Sequence, residues 1–318
     1  MSEIPPILVV GSHAPGIFLR VKRVPRAGET VIGWDFQEPV DGGKGSNQAI
    51  AAARLGGRVS FVGCVGRDRI GEDGERWMRE AGVDTRFLRR SETTASGVGF
   101  IILDENGIPA MVTSMGANAE IRREDIATAI GAMQGSGVLL TQFEIDPPTA
   151  LYAAQLARQA GMTAIVNPAP APEFPVAGLE AATILTPNET EAKVLLGLEP
   201  DAVIDPAELA ATLREKSRVE QLIITVGKDG AVGTDRAGIW KVAPPEVEVV
   251  DTSGAGDVFC AALAVGLVEG KPLKVAAEWA CGAAALSVSK PGTIPAYPTR
   301  AEVDLFLRSR KPNVMNVR

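Results

Sequence analysis

The feature that most constrains this chain is a regular alternation of short apolar runs with longer amphipathic stretches. The apolar runs lie at 7–10, 59–63, 137–142, 163–168, 183–187 and 222–227. Between them, Ala-rich stretches such as 46–56, 148–161 and 206–216 repeat apolar residues at three- and four-residue steps. Buried strands that alternate with amphipathic helices predict a central, mostly parallel sheet with helices on both faces, a Rossmann-like three-layer α/β sandwich.

Composition favours one α/β domain over residues 1–318 and excludes several classes of protein. Apolar residues make up 46%, while a net charge of -7 without a dense Lys/Arg block disfavours nucleic-acid binding. No apolar run approaches the ~20 residues of a membrane span, and the acidic start "MSEIPP" is unlike a secretory signal. Cys64, Cys260 and Cys281 lie far apart among apolar or small residues. We therefore expect a cytoplasmic protein with buried, reduced thiols and no membrane partner.

Two segments, 17–40 and 95–115, break this rhythm because apolar and polar residues alternate along them. Alternation predicts strands with one solvated face. We expect a small antiparallel β lid, formed by insertions at about 13–41 and 94–117, that excludes water from a site; surface hairpins without a role are the alternative. The alternating Ile17, Leu19 and Val21 predict an apolar face that pairs with a second copy, forming a homodimer.

The stretch "VVDTSGAGDVFCAALAVGL" (249–267) carries the strongest chemical signal. We expect a strand to end at Val250 and an apolar helix to begin near Asp257, with Gly254 and Gly256 in the loop between them. Loop N–H groups and the positive end of the helix dipole would hold an anion, as phosphoryl transfer requires. Asp257 is placed to accept a proton from a substrate hydroxyl; the alternative is an ordinary helix cap.

A second motif, "DGGKGSNQAIAAARLG" (41–56), predicts a glycine loop that leads into a helix. Lys44 offers a charge, and the Asn47 amide both donates and accepts hydrogen bonds, which suits a polyhydroxylated ligand. The alternative is an ordinary glycine turn with a serine cap. No Walker A loop and no complete G-x-G-x-x-G occurs in the chain, which removes the main support for a dinucleotide dehydrogenase.

Together the two motifs resemble the two signature sequences of the ribokinase-like (PfkB) carbohydrate kinases. The likeness continues in family order through "NPAPAPEFP" (167–175), "TPNETEA" (186–192) and "TVGKDG" (225–230), and so covers almost the whole chain. It is closest to the ribokinase branch. The resemblance implies an ATP-dependent kinase that transfers the γ-phosphate to a hydroxyl, expected to be primary, of a small sugar.

The resemblance also implies roles for single residues in the phosphate half of the site. Asp257 matches the catalytic base of the family. The matching anion hole is formed by the amides of Gly254, Ala255 and Gly256. Asn188 and Glu191 match the motif that organises Mg²⁺ through water, although the residues alone indicate only a helix-capping segment. The nucleotide-binding positions, which include Asn188 and Gly256, continue through Thr225, Gly227, Lys228 and Gly230.

On the sugar side, the positions that match the family are Gly43, Lys44, Asn47, Glu144 and Asp257. A monovalent-cation site, expected to take K⁺ mostly through backbone carbonyls, is matched by Asp251, Ser253, Ser287, Lys290 and Gly292. Oxygen ligands suit such a hard cation. The last position of this site, a serine in the family, is Ala296 here, so we expect weaker activation by potassium.

The segment "GSHAPG" (11–16) departs from the family pattern, because Ala14 and Gly16 replace an Asn-x-Asp whose aspartate holds two sugar hydroxyls. Losing a charge-assisted hydrogen bond costs about 1.5–3 kcal/mol, or tenfold to a hundredfold in affinity. The identity of the substrate is therefore undecided, and a nucleoside also fits because Gly16 leaves room for a base. His13, Gly16 and Asp41 are further candidates for this wall of the pocket, although His13 is not expected to be the base.

Three functions remain open at this point. A sugar kinase is favoured by the intact Asp257 and the "GAG" loop. A nucleoside kinase of the same family is the first alternative. A non-catalytic sensor that binds a sugar or nucleotide is the second, and only the missing sugar-binding carboxylate favours it.

Overall fold

The computed structural model describes residues 5–37, 41–133, 137–172 and 177–309. Its larger sheet has nine strands, numbered in chain order with those of a smaller sheet. The larger sheet comprises β1 (Ile7–Val10), β4 (Val59–Val65), β5 (Asp84–Arg90), β8 (Val138–Gln142), β9 (Thr163–Asn167), β10 (Ile184–Leu185), β11 (Gln221–Thr225), β12 (Ala231–Asp235) and β13 (Gly238–Val242). The smaller sheet comprises β2 (Gly16–Val21), β3 (Gly33–Gln37), β6 (Val98–Leu103) and β7 (Pro109–Ser114).

The larger sheet has the order β13-β12-β11-β10-β9-β8-β1-β4-β5. All neighbours from β5 to β11 pair in parallel, and only the edge hairpins through β12 and β13 are antiparallel. The four residues of β1, in the middle of the sheet, are all completely buried. Continuous burial is typical of a strand covered on both faces, so the predicted mostly parallel sheet is confirmed.

Helices cover both faces of the larger sheet. They are α1 (Gly43–Arg54), α2 (Arg69–Glu80), α3 (Arg123–Ala132), α4 (Pro147–Gln159), α5 (Glu189–Leu195), α6 (Pro206–Ser217), α7 (Ala255–Val268), α8 (Leu273–Ser287) and α9 (Arg300–Ser309). Ile7 and Val9 pack with α1, α7 and α8 in one hydrophobic cluster, whereas Leu8 and Val10 pack with α3, α4 and α6 in another. The period-2 alternation of β1 thus separates two cores, as the three-layer sandwich requires.

Local signals explain where several of these helices begin. The side chains of Asp146 and Asp205 accept hydrogen bonds from the first turns of α4 and α6, and each helix starts with proline. This combination satisfies orphan N–H groups and presets the backbone angle of the first residue. α7 has no side-chain cap, and Gly254 precedes it in a left-handed conformation with φ 73°. Its first turn is therefore left open.

The smaller sheet has the order β3-β2-β6-β7, and its strands lie inside the two predicted insertions. The outer pairings, β2 with β3 and β6 with β7, are antiparallel as expected, but β2 and β6 run parallel. This difference follows from the main sheet. β2 continues from β1 and β6 from β5, and both of these strands run parallel to β4. Chains that leave the same edge of the sheet enter the lid in the same direction.

The apolar face expected at Ile17, Leu19 and Val21 is only partly found. Val21 is buried, and Ile17 and Leu19 are half-buried. Ile17 is paired with Phe100, and Phe100 with Val112, so their side chains form a row on one face of the lid. The exposed large apolar side chains of the lid sheet are Trp34, Phe36, Phe100, Met111 and Val112.

The predicted strand ending at Val250 is wrong. The last strand, β13, ends at Val242, and residues 243–250 have no regular structure. Pro244 and Pro245 interrupt the segment, and proline cannot donate to a strand ladder. The Val249 and Val250 side chains are more than half exposed, so the alternation of this segment does not mark burial.

The cysteines and the helices bear on the expectations drawn from composition. Cys64, Cys260 and Cys281 are buried and free, as expected. Across the part of the chain that the structure describes, we find no helix with both the length and the apolar character needed to span a membrane.

The fold predicts opposite effects for two glycine-to-alanine substitutions. A methyl group on Gly45 in α1 would overlap the backbone of Gly11 and Ser12, whereas one on Gly131 in α3 would meet open space. We expect Gly45→Ala to lower the free energy of unfolding by about 1–3 kcal/mol. Gly131→Ala should raise it by about 0.5 kcal/mol. Urea denaturation measures both, and equal effects would contradict the close approach of α1 to the first loop.

Candidate active site

A cavity of ≈ 220 Å³ lies at the carboxyl-terminal ends of the parallel strands, where open α/β sheets bind ligands. The predicted residues that line it are Lys44, Asn188, Glu191, Thr225, Gly254, Ala255, Gly256 and Asp257. These residues come from four separate parts of the sequence, so the fold brings together most of the predicted phosphate half of the site.

Asp257 is held by two amide side chains of α1. Gln48 Nε2 donates to Asp257 Oδ1 at 3.0 Å, and Asn47 Nδ2 donates to Oδ2 at 3.2 Å. Gln142, at the end of β8, donates through Nε2 to Gln48 Oε1 at 2.6 Å and so orients the Gln48 amide. The carboxylate of Asp257 is therefore fixed from both sides, and it does not cap its own helix.

The protonation of Asp257 depends on opposing effects. Burial raises the pKa of its carboxyl group, while Lys44 and the amides of Gln48 and Asn47 lower it. Burial alone would lower the pKa of the Lys44 ammonium, but Asp257, Glu144 and Glu191 together raise it. The net direction of the Asp257 pKa is upward, and the raised pKa of Lys44 keeps a positive charge beside the carboxyl group.

The open first turn of α7 lines the same cavity. Gly254 precedes the helix, and no side chain accepts from the N–H groups that follow. The Ala255 N–H makes a long bond of 3.3 Å to the Thr252 carbonyl, and N–H groups without a side-chain cap, together with the helix dipole, favour an anion at this point. The hydroxyl of Tyr297 lies beside Gly254 and has no hydrogen-bond partner among the described residues, although Tyr297 is only 3% exposed. A ligand at this turn would meet a further donor.

The glycine loop before α1 is joined to the loop after β1 by backbone hydrogen bonds. Ala14 N–H donates to the carbonyl of Gly42 at 2.8 Å, and Ser46 N–H donates to the carbonyl of Ser12 at 3.0 Å. The two loops, 11–16 and 41–46, thus form one wall of the site. The two loops are far apart in the sequence, so their contact could not be predicted from it. Both motifs nevertheless contain the glycines that permit this close approach.

Glu144 lies against this wall. Its Oε2 accepts from Ser12 Oγ at 2.7 Å and from the backbone N–H of Lys44 at 2.8 Å. Burial raises the pKa of its carboxyl group and Lys44 lowers it. The predicted sugar-side residues Gly43, Lys44 and Glu144 are therefore neighbours, with a carboxylate oxygen ready to accept from a hydroxyl.

His13 does not face the cavity, so its proposed place in the substrate wall is wrong. Its ring is buried, with Nδ1 3.0 Å from Ser46 Oγ and Nε2 3.2 Å from the carbonyl oxygen of Ile70. The ring also meets Trp77 of α2 edge to face, with centroids 6.4 Å apart. Burial lowers the pKa of His13 to about 4. A neutral imidazole that ties α2 to the glycine loop is a structural residue.

Asn188 and Glu191 form a capping box at the start of α5. Asn188 Oδ1 accepts from Glu191 N–H, and Glu191 Oε2 accepts from Asn188 N–H, both at 2.8 Å. Both residues also line the cavity, where burial raises the pKa of the Glu191 carboxyl group. Asn188 and Glu191 therefore cap α5, as their sequence pattern indicates. The donor set of one carboxylate and one amide oxygen also fits Mg²⁺, which keeps most of its waters.

The predicted cation residues gather around Asp251. Asp251 Oδ1 accepts from the Ser253 N–H and Oδ2 from the Gly292 N–H, each at 2.9 Å. The side chains of Ser287 and Lys290 are engaged elsewhere, with the carbonyl of Ala284 and with Glu302. Backbone carbonyls are therefore the groups left for a cation here. Within the described residues there is no cluster of three or more His, Cys, Asp or Glu with the geometry of a metal site.

The nucleotide-loop positions after Thr225 form a single 3₁₀ turn. Gly227 and Lys228 are exposed, Gly230 is buried, and none of the three lines the cavity. Thr225 alone joins this turn to the cavity wall.

Sequence reasoning missed several residues that shape the site. Gln48 follows Asn47 inside the quoted motif, and Gln142 ends a predicted strand, so a polar residue at the carboxyl end of a buried strand was an available signal. Ser12, which holds Glu144, lies in the first loop. Tyr297 carries no signal in the sequence, because only the folded chain brings it to Gly254.

Comparison with known proteins agrees with this geometry. The model of the pfkB family carbohydrate kinases matches residues 22–300. Ribokinase from Bacillus subtilis is 39% identical over 303 residues, which cover 95% of this chain and 99% of that protein. Deoxyribokinase from Salmonella typhi is 30% identical over 302 residues, covering 95% and 98%. The structure of Arabidopsis thaliana ribokinase complexed with ribose and ATP has 30% identity and a TM-score of 0.87, covering 96% and 99%.

The chain belongs to the pfkB family of carbohydrate kinases, as its two signature sequences implied. Within that family it is a ribokinase-like carbohydrate kinase, since ribokinases are its full-length relatives and its structural neighbours.

The position of His13 predicts an unusual titration. This is the only histidine of the chain, so one imidazole signal in NMR reports its pKa, which we expect at about 4. Between pH 6.5 and 4 the unfolded chain then binds more protons, and the contribution of His13 to the free energy of unfolding falls by about 3 kcal/mol as pH falls.

Comparison with His13→Asn isolates this contribution from that of the carboxyl groups. The difference in unfolding free energy between wild type and variant should shrink across that pH range. An imidazole that titrates near pH 6.5 would contradict the buried position.

Proposed function

We propose that the enzyme transfers the γ-phosphate of ATP to a primary hydroxyl of a small sugar. One observation carries this proposal: a buried carboxylate, Asp257, lies in the same cavity as the uncapped first turn of α7. Phosphoryl transfer needs a positioned nucleophile and stabilisation of charge more than covalent chemistry. Known ribokinase structures, one in complex with ribose and ATP and one with ADP, support the choice of ligands.

In this proposal Asp257 accepts the proton of the attacking hydroxyl, and Gln48 and Asn47 hold its carboxylate in place. The N–H groups from Gly254 to Gly256 meet the charge of the transferred phosphoryl group. Lys44 lies between the sugar side and the phosphate side, where its ammonium offsets both carboxylate and phosphate charge. Asn188 and Glu191 would hold Mg²⁺, which neutralises phosphate charge when bound.

The base assignment predicts a selective loss of turnover. Asp257→Asn keeps the shape of the side chain but cannot accept the proton, so kcat should fall by about 10²–10⁴-fold. The dissociation constant for ATP should stay within about twofold, because the anion-binding N–H groups remain. Asp201→Asn, at an exposed loop position, is the matched control. Unchanged turnover in Asp257→Asn would refute the assignment.

A turnover panel separates the three functions that the sequence left open. ADP release is measured with pentoses, hexoses and nucleosides at saturating ATP and Mg²⁺, with and without K⁺. Release with a neutral sugar supports the proposed kinase, and a preference for nucleosides would replace it with the first alternative. ATP binding without release for any compound would favour the sensor.

The amide network predicts a shift in the pH dependence. Gln48→Leu removes a hydrogen bond that favours the charged form of Asp257, so the pKa of Asp257 should rise. The acidic limb of kcat/KM should then move to higher pH, with partial recovery of the rate at alkaline pH. Gln155→Leu, on the exposed side of α4, is the control. A uniform loss of rate at every pH would contradict this role.

We further propose a homodimer that forms through the lid. Phe100 and Val112 are both exposed and are paired on one face of the lid sheet, and exposed apolar surface of this kind marks an interaction site. Val112→Lys should shift the mass found by light scattering at micromolar concentration from dimer to monomer. Val203→Lys, at a fully exposed site outside the lid, should not. A monomeric wild type would refute the proposal.

A further inference from the structure

The residue that precedes the glycine loop, Asp41, is fixed by the first loop. Asp41 Oδ1 accepts from the backbone N–H of Gly16 at 2.6 Å. This bond lies next to the one between Ala14 N–H and the carbonyl of Gly42. One backbone hydrogen bond thus holds the Asp41 carboxylate, and the second joins the backbones of the two loops beside it.

Because Gly16 has no side chain, there is space beside its Cα atom for the Asp41 carboxylate. A Cβ atom at Gly16 would lie 3.4 and 3.5 Å from the two carboxylate oxygens of Asp41, and 3.0 Å from Ile101 Cδ1 of the lid. The Asp41 carboxylate therefore lies within van der Waals distance of a methyl group at Gly16, and a long side chain at position 16 would compete with it for this space.

Asp41 has no cationic partner among the residues that the structure describes. Burial and the neighbouring Asp257 both raise the pKa of its carboxyl group, although the Gly16 bond lowers it. A half-buried carboxylate beside a like charge is unfavourable unless other donors reach it. An ionised carboxylate can accept about four hydrogen bonds, so Asp41 has acceptor positions left for a ligand.

A second buried group, beside Gly254 at the first turn of α7, also lacks a partner in the described part of the chain. The Tyr297 hydroxyl is buried without a hydrogen-bond partner among the described residues. Burial, followed by Asp257 and Asp41, raises the pKa of its phenol well above the usual value. This unused donor therefore lies within electrostatic reach of both carboxylates. A molecule with hydroxyl groups can bond both to this donor and to the carboxylate acceptors, because each hydroxyl donates and accepts.

We propose that Asp41 is a specificity-determining, sugar-binding residue, whose carboxylate accepts hydrogen bonds from two adjacent hydroxyls of a neutral sugar. This inference rests on the proposed function of the same site. The charge around Asp257 indicates a neutral sugar: Asp41, Glu144 and Glu191 all lie near enough to interact with this carboxylate, and Lys44 is the cation that offsets it. A phosphorylated or carboxylated sugar would add repulsion there.

The test uses Asp41→Asn, which keeps an oxygen for the Gly16 N–H but presents an NH₂ group where the sugar needs an acceptor. Asp35→Asn is the matched control, because Asp35 is an exposed lid carboxylate that pairs with Arg20. Titration calorimetry measures the affinity of each protein for D-ribose, 2-deoxy-D-ribose and 3-deoxy-D-ribose without nucleotide. Thermal unfolding checks that each variant is folded.

We expect Asp41→Asn to weaken binding of the best pentose by tenfold to a hundredfold and to leave the KM for ATP within twofold. Removing the hydroxyl that Asp41 contacts should cost affinity in the wild type but little in Asp41→Asn, which identifies that hydroxyl. Asp35→Asn should match the wild type in all of these measurements.

Failure of this inference is distinct from failure of the kinase proposal. Sugar affinity within twofold of the wild type in Asp41→Asn, with ADP release intact, overturns the role of Asp41 and leaves the kinase standing. Loss of sugar binding in Asp41→Asn, when even the wild type releases no ADP, supports the role of Asp41 and refutes the kinase.

Discussion

The hydrogen bonds that hold the buried carboxylate of Asp257 are the constraint on which the rest of the site depends. A carboxylate removed from water costs several kcal/mol unless it is paired and hydrogen-bonded. α7 is otherwise buried and apolar, so its neighbours must supply the partners. α1 provides two consecutive amides, from Asn47 and Gln48, and Lys44 provides the charge. The same three residues therefore determine both the stability of this helix pair and the protonation of the proposed base.

The position of α1 has a second consequence for the pocket. To bring its amides to Asp257, α1 starts so close to the first loop that Gly45 has no room for a side chain. The backbone bonds between the two loops follow from this approach. They also place the loop after β1 against Asp41 and Glu144, so the contacts that hold the proposed base also position the residues of the proposed sugar side.

The sequence predicts those parts of the fold and site whose signals are local. The buried strands, their helices and the loop before α7 are local patterns, and each was found where expected, apart from the segment ending at Val250. β5 was not predicted because its sequence, "DTRFLRR", is mostly polar and none of its residues is fully buried. The direction of the His13 ring depends on α2, far along the chain, and the parallel pairing of β2 with β6 depends on β1 and β5. No local pattern carries such information.

Two residues of the first loop, His13 and Gly16, have different roles: one is structural and the other positions a residue proposed to bind the sugar. The His13 ring contacts α2 and ties the loop to it, whereas the N–H of Gly16 donates to the Asp41 carboxylate. Asp257 receives its own hydrogen bonds from Asn47 and Gln48, which lie beyond the glycine turn. Under the proposed role of Asp41, a change at position 16 or 41 alters which hydroxyls the pocket accepts, while Asp257 keeps its hydrogen bonds. By this reasoning, the sugar preference of the chain can diverge from that of other ribokinase-like enzymes without loss of the kinase chemistry.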